Sequence, residues 1–478
     1  MLLPLSREAS ADVDTETAPD ASPDSDAGSD AAESERALAR YCRKIDYRML
    51  AYAMLLNVLN QCDRGSIGVA KVVGLEKDLG MTKNDFNIAA TLFSVGYLAV
   101  EPFSNLVLKR VGASRLLPTL GITWGAVCAL HGAINTKAQL YVVRVLLGMS
   151  ECGLVPGIYV LMTFFYPKRA VTARVGVFGL CTPVASVLAG PLASGLSQIH
   201  HRTIRRWQWV FILEGVITVA VSLLGYYVLQ DHPEKCRFLS AAEKELIASH
   251  KRREGAQEVT RALTLLDIRR VLADWQLWAM MVPVFSASLI IGTVVTFAPQ
   301  VINELGFTSA QSQAMSALPA FCGAVVVVFS SWIVRQAGAH WIAVSALLAT
   351  ALGGCAIMVA TLSVPARIVG LCLLGAGGFP AIAVALGWLI TDNAHTVANA
   401  VVATGLSGVA AICANFVSSN VFLNSDAPRY VIGYTVDAAI LVAGILACAV
   451  VRVSMGRRNR RMCAKQPQGD SMPVFHVL

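Results

Sequence analysis

Long apolar runs, separated by short polar stretches, recur along the chain from about residue 46 to residue 453. Uncharged runs such as 116–134, 275–302 and 313–334 match or exceed the roughly 20 residues that a helix needs to cross about 30 Å of hydrocarbon. They lack the alternation of apolar and polar positions that marks barrel strands, so helices are predicted. We expect twelve membrane helices, at residues 46–69, 85–108, 113–134, 138–165, 172–198, 208–229, 275–302, 310–334, 340–362, 367–391, 396–422 and 430–453.

The longest polar internal stretch, 230–274, divides these helices into two sets of six. The first 33 residues are rich in Asp, Glu, Ser, Ala and Pro and almost free of apolar runs, which indicates disorder. The predicted organisation is a disordered acidic cytosolic tail at 1–44, an N-terminal six-helix bundle at 45–229, a cytosolic central loop at 230–274, a C-terminal six-helix bundle at 275–454 and a cytosolic tail at 455–478.

Composition and charge agree with a membrane protein, because 55% of the residues are hydrophobic and only 15% are charged. Lys and Arg cluster at 36–48, 109–115, 168–174, in the central loop and at 452–465, whereas the alternate loops hold fewer. Since basic loops stay in the cytosol, we expect both termini and the central loop there. The expected localisation of this multi-pass protein is the plasma membrane. The net charge of +8 then reflects topology and contact with anionic lipid, so no nucleic-acid partner is expected.

Signals of an enzyme or a metalloprotein are missing from the sequence. The 12 cysteines stand singly, without a CxxC pair or a Cys/His ligand spacing, so they are interpreted as packing residues and no metal site is expected. No phosphate loop of the form GxxxxGK[ST] occurs, and no nucleophile–base pair lies at a membrane face. We therefore expect neither catalysis nor a cofactor.

Ionisable residues inside the predicted membrane helices are the most informative feature of the chain. Each costs about 2.5 kcal/mol or more, so such residues normally pair with one another or line a polar pathway. Seven of them lie away from the first and last turns of their helices: Asp63, Arg64, Glu101, Arg144, Glu151, Glu214 and Asp437. This pattern indicates a protein that moves or binds something polar in the bilayer.

Two helix faces form the predicted substrate site. The first helix carries a polar stripe at spacings of three and four residues, made of Asn57, Asn60, Gln61 and Arg64. The fourth helix places Arg144 and Glu151 on one face, with Glu151 near the midplane. Two guanidiniums above a carboxylate suit an anion and a proton, since Arg binds carboxylates through two N–H groups and a desolvated Glu can titrate. A purely structural charge clamp is the alternative.

Proton coupling is assigned first to Glu151, the acid nearest the midplane, with Asp63 and Glu214 as the next candidates. In the second half, uncharged side chains are expected to bond the polar end of the substrate, or alternatively to join helices to one another. These amides are Gln300, Asn303, Asn415 and Asn420.

Other residues are assigned to gating or to helix shape. Charge networks that close the inner gate are expected at the cytosolic end of the second helix and at the turn after the fourth, from Glu101, Lys109, Arg110 and Arg174. Pro283 and Pro299 are expected to interrupt the seventh helix, and 375–380 to loosen the tenth. Asp437, near the end of the last helix, is expected to reach towards the membrane surface.

Short motifs distributed over about residues 44–455 resemble one transporter family. They include Asp63-Arg64-Gly65-Ser66-Ile67-Gly68, Glu101 with Ser104-Asn105-Leu106, Arg144-x-x-x-Gly148-x-x-Glu151, Trp209 to Gly215, and Ser425 to Tyr430. Together they resemble the anion:cation symporter family within the major facilitator superfamily. The resemblance implies the major facilitator fold, an all-α membrane protein of two six-helix bundles with inverted repeats, functional as a monomer.

The same resemblance implies the activity. It indicates a secondary active transporter that moves a small organic anion, a carboxylate or a vitamin-like molecule, together with a proton, most like the fungal allantoate, nicotinate, pantothenate and biotin permeases. The proton gradient would then be the energy source. Two other functions remain open: export of an acidic metabolite, and sensing of a nutrient without transport.

Overall fold

The computed structural model describes residues 23–464 except 83, 197–203, 254–268, 270, 338, 393–396 and 424–425. Twelve helical membrane spans follow one another, as the apolar runs predict. Their bounds are Asp46–Leu50 continued by Ala51–Val73; Asp85–Val111; Ala113–Leu130; Lys137–Glu151 with Leu154–Phe165; Lys168–Phe178 with Cys181–Leu196; Arg206–Val228; Trp275–Glu304; Ser309–Met315 with Ala317–Ala337; His340–Ala360; Val364–Asp392; Val397–Val421; and Val431–Ala464. The first span begins, and the twelfth ends, on what is here called the terminal side; the other end is the opposite side.

The spans pack as two bundles of six with matching internal contacts. In the first bundle the third span packs on the sixth and the second on the fourth; in the second bundle the ninth packs on the twelfth and the eighth on the tenth. The bundles meet through the first and seventh, second and eleventh, and fifth and eighth spans. The two halves are therefore structural repeats, as in transporters whose substrate lies between repeats.

The hydropathy of each span, over the described residues, depends on whether the span faces lipid or the other bundle. Eight helical stretches are long and apolar enough to cross a bilayer: Ala113–Ala133, Lys137–Phe165, Arg206–Val228, Trp275–Glu304, Ser309–Ser330, His340–Ala360, Val364–Leu389 and Val431–Arg457. The first, second, fifth and eleventh spans fall short of that measure, and these are spans that face the other bundle. Large apolar side chains such as Val216, Tyr227 and Phe329 remain exposed on the outer surface, where lipid would cover them.

Three spans that the sequence predicts as single helices are broken, and each break has the same cause. The fourth is interrupted at Cys152 and Gly153, the fifth at Gly179 and Leu180, and the eighth at Ser316. A proline stands at the third position after each break: Pro156, Pro183 and Pro319. Proline has no N–H and its ring clashes with the carbonyl four residues earlier, which is where each helix ends.

Proline does not break the seventh span, so that prediction was wrong. The helix Trp275–Glu304 continues through Pro283 and Pro299, and the tenth span Val364–Asp392 continues through 375–380. The seventh span is packed against the first, tenth, eleventh and twelfth, and both of its prolines are buried. Packing on every side holds this backbone helical despite the lost hydrogen bonds.

The predicted tails also differ from the structure. Residues 23–45 form a helix rather than disordered chain, because Leu38, Tyr41 and Ile45 recur at helical spacing and pack against the bundle. Tyr41 Oη donates to Phe165 O at 2.8 Å. The twelfth span continues to Ala464, ten residues into the predicted C-terminal tail. Residues 1–22 and 465–478 lie outside the described residues.

The central loop contributes a helix of its own, Ala241–Arg253, on the terminal side. Lys44 of the N-terminal helix forms an ion pair with Glu243 at 3.0 Å, and Lys251 donates to the carbonyl of Phe164. The loop is therefore docked on the N-terminal bundle.

The second and fourth spans pack closely enough to allow a sharp test. A Cβ added to Gly148 would overlap the carbonyl of Phe93, and one added to Gly96 would overlap that of Val145. We expect Gly148→Val to destabilise the protein by about 3 kcal/mol or more, because helix backbones cannot move apart cheaply. Size-exclusion chromatography should then show loss of most of the monodisperse protein.

Gly353→Val on the ninth span is the matched control, since nothing lies within 4 Å of a Cβ added there. A monodisperse Gly148→Val protein with the melting temperature of the wild type would contradict the close approach of these two spans.

Candidate functional site

The break in the fourth span places Glu151 at the centre of a buried charged cluster. Glu151 is the last residue before the break, and Gly153, with a φ of 86°, begins the second half-helix. Arg64 Nε of the first span donates to Glu151 Oε2 at 2.9 Å. The Arg64 guanidinium also lies over the rings of Phe93 and Tyr97, at 5.5 Å and 5.2 Å. Broken membrane helices are where transporters place their substrate sites.

A second pair of acids lies beside this ion pair, on the first and sixth spans. Asp63 Oδ2 accepts a 2.5 Å hydrogen bond from Trp124 Nε1, and Oδ1 accepts from Cys128 Sγ at 3.6 Å. Ser66 Oγ lies 2.7 Å and 2.6 Å from the two carboxylate oxygens of Glu214. Both acids are almost completely buried. No basic side chain of the described residues forms an ion pair with either of them.

Arg144 is the cation nearest these acids, and it is only 2% exposed. It interacts electrostatically with Asp63, Glu151 and Glu214. Its guanidinium carbon lies 5.5 Å from the centre of the Phe211 ring. Among the described residues, nothing accepts a hydrogen bond from Arg144 Nε or Nη2, the two donors on one edge of the guanidinium.

His131 packs against Phe211, the ring that the Arg144 guanidinium also contacts. Its ring stacks on Phe211 with the centres 4.6 Å apart, and Nδ1 lies 3.2 Å from the carbonyls of Val127 and Cys128. Contact with two carbonyls makes Nδ1 the protonated nitrogen. His131 therefore supports Phe211 from the short helix His131–Ala133, directly after the third span.

The fold also brings together atoms that could bind a metal. One ligand atom from each of Asp63, Cys128 and Glu214 lies within 4.8 Å of the others. The carboxylates already accept hydrogen bonds from Trp124 and Ser66, and Arg144 interacts with all three residues. A neighbouring guanidinium disfavours a divalent cation, so the donor set suits a proton better than a metal.

The predicted polar stripe on the first span is only partly gathered at this cluster. Asn57 and Asn60 are buried, and Asn60 interacts with Glu151 of the charged cluster. Asn57 Oδ1 and Asn60 Oδ1 have no hydrogen-bond partner among the described residues. Gln61 is partly exposed. Buried amides without partners are suited to a polar ligand, because an unsatisfied group costs about 1 to 3 kcal/mol.

The amides of the second half lie elsewhere. Gln300 Nε2 donates to Tyr430 Oη at 2.6 Å, and Asn303 Nδ2 donates to Phe307 O at 3.2 Å, both near the opposite-side end of the seventh span. Asn415 faces Gly292 across the seventh and eleventh spans. None of these amides joins the charged cluster of the first bundle.

The opposite side is closed by contacts between the bundles. Phe297 stacks on Phe422 with ring centres 5.0 Å apart, and its ring meets the edge of Phe86 at 6.5 Å. Asn420 Nδ2 donates to Thr91 Oγ1 at 2.8 Å, so this amide joins two spans. The aromatic contacts exclude water between the second, seventh and eleventh spans.

The predicted gate residues are not one network in the structure. Glu101 lies ten residues before the end of the second span, about 15 Å from it, and not at the terminal side as expected. Its Oε2 accepts from Cys152 Sγ at 3.1 Å, beside the break in the fourth span. Arg174 instead pairs with Asp46 at 2.8 Å, at the start of the first span.

The other two predicted gate residues, Lys109 and Arg110, stand at the end of the second span. Arg110 is exposed, and the side chain of Lys109 lies outside the described residues. The roles of all four residues in gating therefore stay predictions.

Sequence reasoning missed the hydrogen-bond partners of the acids. Trp124 lies on the third span with its ring fully buried, and Ser66 and Cys128 are small residues without any obvious pattern. A usable signal existed only for Trp124, since a buried indole N–H normally needs an acceptor.

Comparison with known proteins agrees with this geometry. Residues 53–419 match the model of the Major Facilitator Superfamily. A putative tartrate transporter of Agrobacterium vitis is 32% identical over 316 residues, covering 66% of this chain and 72% of that protein. A transporter of the same superfamily from Fungal sp. (strain NRRL 50135) is 29% identical over 445 residues, covering 90% and 88%.

Solved structures show the same fold. A D-xylose–proton symporter matches with a TM-score of 0.62 and 13% identity, over 84% of this chain and 96% of that one. A bacterial homologue of the human lysosomal transporter Spinster, in an inward-facing and occupied conformation, matches with a TM-score of 0.62 over 84% and 95% of the two chains, at 13% identity. This chain therefore belongs to the Major Facilitator Superfamily and is a multi-pass membrane transporter of a small molecule, not an enzyme.

Proposed function

We propose that the protein is a proton-coupled symporter of a small organic anion, of the anion:cation symporter type, working as a monomer in the plasma membrane with its terminal side in the cytosol. The observation that carries the proposal is the free edge of Arg144. Two adjacent N–H donors in a buried site match the two oxygens of a carboxylate. Asn57 and Asn60 offer further buried donors and acceptors within the same bundle.

The number of acids and arginines in the buried cluster supports proton coupling. The cluster contains three acids, Asp63, Glu151 and Glu214, but only two arginines, Arg64 and Arg144. One proton on an acid makes the cluster neutral, which a low-dielectric interior favours. Glu151 is held ionised by its ion pair with Arg64, whereas Asp63 and Glu214 are two carboxylates close together with no such partner. We therefore favour the Asp63–Glu214 pair over Glu151 as the proton carrier.

The substrate class follows from the same charges. When a carboxylate binds Arg144 and a proton binds the acidic pair, the loaded cluster gains no net charge. Binding the anion without a proton would add a negative charge, so the loaded cluster rearranges across the bilayer at lower cost when a proton accompanies the anion. The putative tartrate transporter among the relatives is consistent with a carboxylate substrate. No cofactor is needed, because the proton gradient supplies the energy.

The test is uptake by purified protein in liposomes, with labelled tartrate, nicotinate and pantothenate as probes and xylose as the neutral control. We expect at least one carboxylate to accumulate when the outside is the more acidic side, and a protonophore to abolish the accumulation. Accumulation on the acidic side instead would indicate an exporter. Binding of a carboxylate without flux would indicate a sensor, and accumulation of xylose alone would overturn the anion assignment.

A further inference from the structure

We propose that Asp437, on the twelfth span, is a second proton-binding site, built in the C-terminal bundle on the plan of the Asp63–Glu214 pair. Its use in transport rests on the proposed function, whereas its occupation by a proton does not. The sequence interpretation, in which Asp437 reaches towards the membrane surface, is wrong because the side chain is 0% exposed.

Asp437 has the surroundings of a neutral carboxyl group. Oδ2 accepts a hydrogen bond from Thr293 Oγ1 of the seventh span at 3.0 Å. Oδ1 is buried and has no partner among the described residues. An ionised carboxylate with an unsatisfied oxygen and no neighbouring cation is costly in such an interior, whereas a proton removes the charge.

Among the described residues, the elements packed around the twelfth span supply no ion-pair partner for this acid. The titratable or charged groups that face Asp437, or face its neighbour Tyr434, are Cys355 of the ninth span, Arg367 of the tenth and Glu304 of the seventh. The eleventh span, Val397–Val421, contains no Asp, Glu, Lys, Arg or His.

Arg367, the one cation in that set, uses its two terminal nitrogens for backbone oxygens, and its Nε is buried without a hydrogen-bond partner among the described residues. Its Nη1 and Nη2 donate to the carbonyls of Pro428 and Arg429, at 2.7 Å and 3.2 Å. Arg367 therefore anchors the loop before the twelfth span and does not form an ion pair with Asp437 among the described contacts.

Because the two bundles are structural repeats, the residues around Asp437 can be matched with residues of the first bundle by their positions along corresponding spans. Cys128 on the third span and Cys355 on the ninth each lie fifteen residues after the first residue of their span. Glu214 lies eight residues into the sixth span and Asp437 six residues into the twelfth.

The leading spans of the two bundles match in the same way. Thr293 lies eighteen residues into the seventh span and Asp63 seventeen into the first, which begins at Asp46. In both bundles a hydroxyl of the leading span bonds the carboxyl of the last, from Ser66 in one and Thr293 in the other. The C-terminal bundle thus keeps one acid of the pair and replaces the other by a hydroxyl.

A proton fits this site better than a metal cation. The oxygens on hand are those of Asp437 and Thr293, whereas hard cations such as Mg²⁺ and Ca²⁺ take six or more oxygen ligands. Titration of this carboxyl would give the C-terminal bundle its own response to the proton gradient.

Infrared spectroscopy of the purified full-length protein tests the proposal without any substrate. The C=O stretch of a protonated carboxyl is separate from carboxylate bands, and we expect Asp437→Asn to lose one protonated-carboxyl band between about pH 5 and about pH 8. Thr293→Val should keep that band and shift it to higher frequency, because the hydrogen bond to the C=O is lost.

The controls separate folding from charge state. Asp437→Glu should retain a protonated band at a shifted frequency, so a misfolded Asn variant does not hide the result, and melting curves check all three variants. Loss of a carboxylate band instead, or a band in the wild type that changes with Na⁺ concentration, would overturn the proposal. Because this experiment measures no transport, neither result decides whether the protein is a symporter. The liposome uptake experiment tests that separately.

Discussion

Replacing Arg144 by Gln should abolish binding of the transported anion while leaving the fold intact. Gln lacks the charge and the paired donors, so a buried carboxylate would lose two charge-assisted hydrogen bonds, a cost of roughly 3 to 5 kcal/mol. That corresponds to a loss of affinity of more than about 100-fold. The measurement is binding, by calorimetry, of whichever carboxylate the liposome screen identifies.

Two further variants make this result specific. Arg144→Lys should recover little affinity, since an ammonium keeps the charge but loses the planar pair of donors. Arg252→Gln, at an exposed position of the central-loop helix, should bind as the wild type does. Wild-type affinity in Arg144→Gln, with an unchanged melting temperature, would show that Arg144 only neutralises its acidic neighbours, which is the structural clamp considered from the sequence.

Much of the architecture follows from the sequence because a bilayer leaves few choices. Apolar runs of sufficient length must be helices, and the polar loop 230–274 separates the two repeats. The same constraint predicts that charges within apolar helices pair with one another or line a polar pathway, since isolated charges there are too costly. The 2.9 Å contact between Arg64 and Glu151 is one such pair, but the sequence alone did not identify these two partners.

The parts that could not be predicted depend on contacts between distant spans. Backbone sterics explain the helix breaks that precede Pro156, Pro183 and Pro319. The seventh span nevertheless continues unbroken through Pro283 and Pro299. Whether proline breaks a helix thus depends on the packing around it. Burial of Asp437 was equally hidden, because its donor Thr293 lies 144 residues away in the chain.

The second large effect concerns the acidic pair: Glu214→Gln and Asp63→Asn should each uncouple transport from the proton gradient. Either amide mimics the protonated acid and can neither take up nor release a proton, so no proton has to accompany the anion. A pH difference of about one unit supports about tenfold accumulation per coupled proton, and this accumulation should fall to about onefold. Exchange of labelled for unlabelled anion across the liposome membrane should persist, because Arg144 is unchanged.

Glu151→Gln distinguishes the two possible proton carriers. This change removes the acceptor of Arg64 Nε and leaves a buried guanidinium without its ion pair, so we expect weaker binding and slower exchange rather than simple uncoupling. The opposite pattern, in which Glu151→Gln exchanges normally without accumulation while Glu214→Gln and Asp63→Asn still concentrate the anion, would assign the proton to Glu151. The ion pair with Arg64 would then have to open in each cycle, and Arg64 and Arg144 together would balance the negative charges of Asp63 and Glu214.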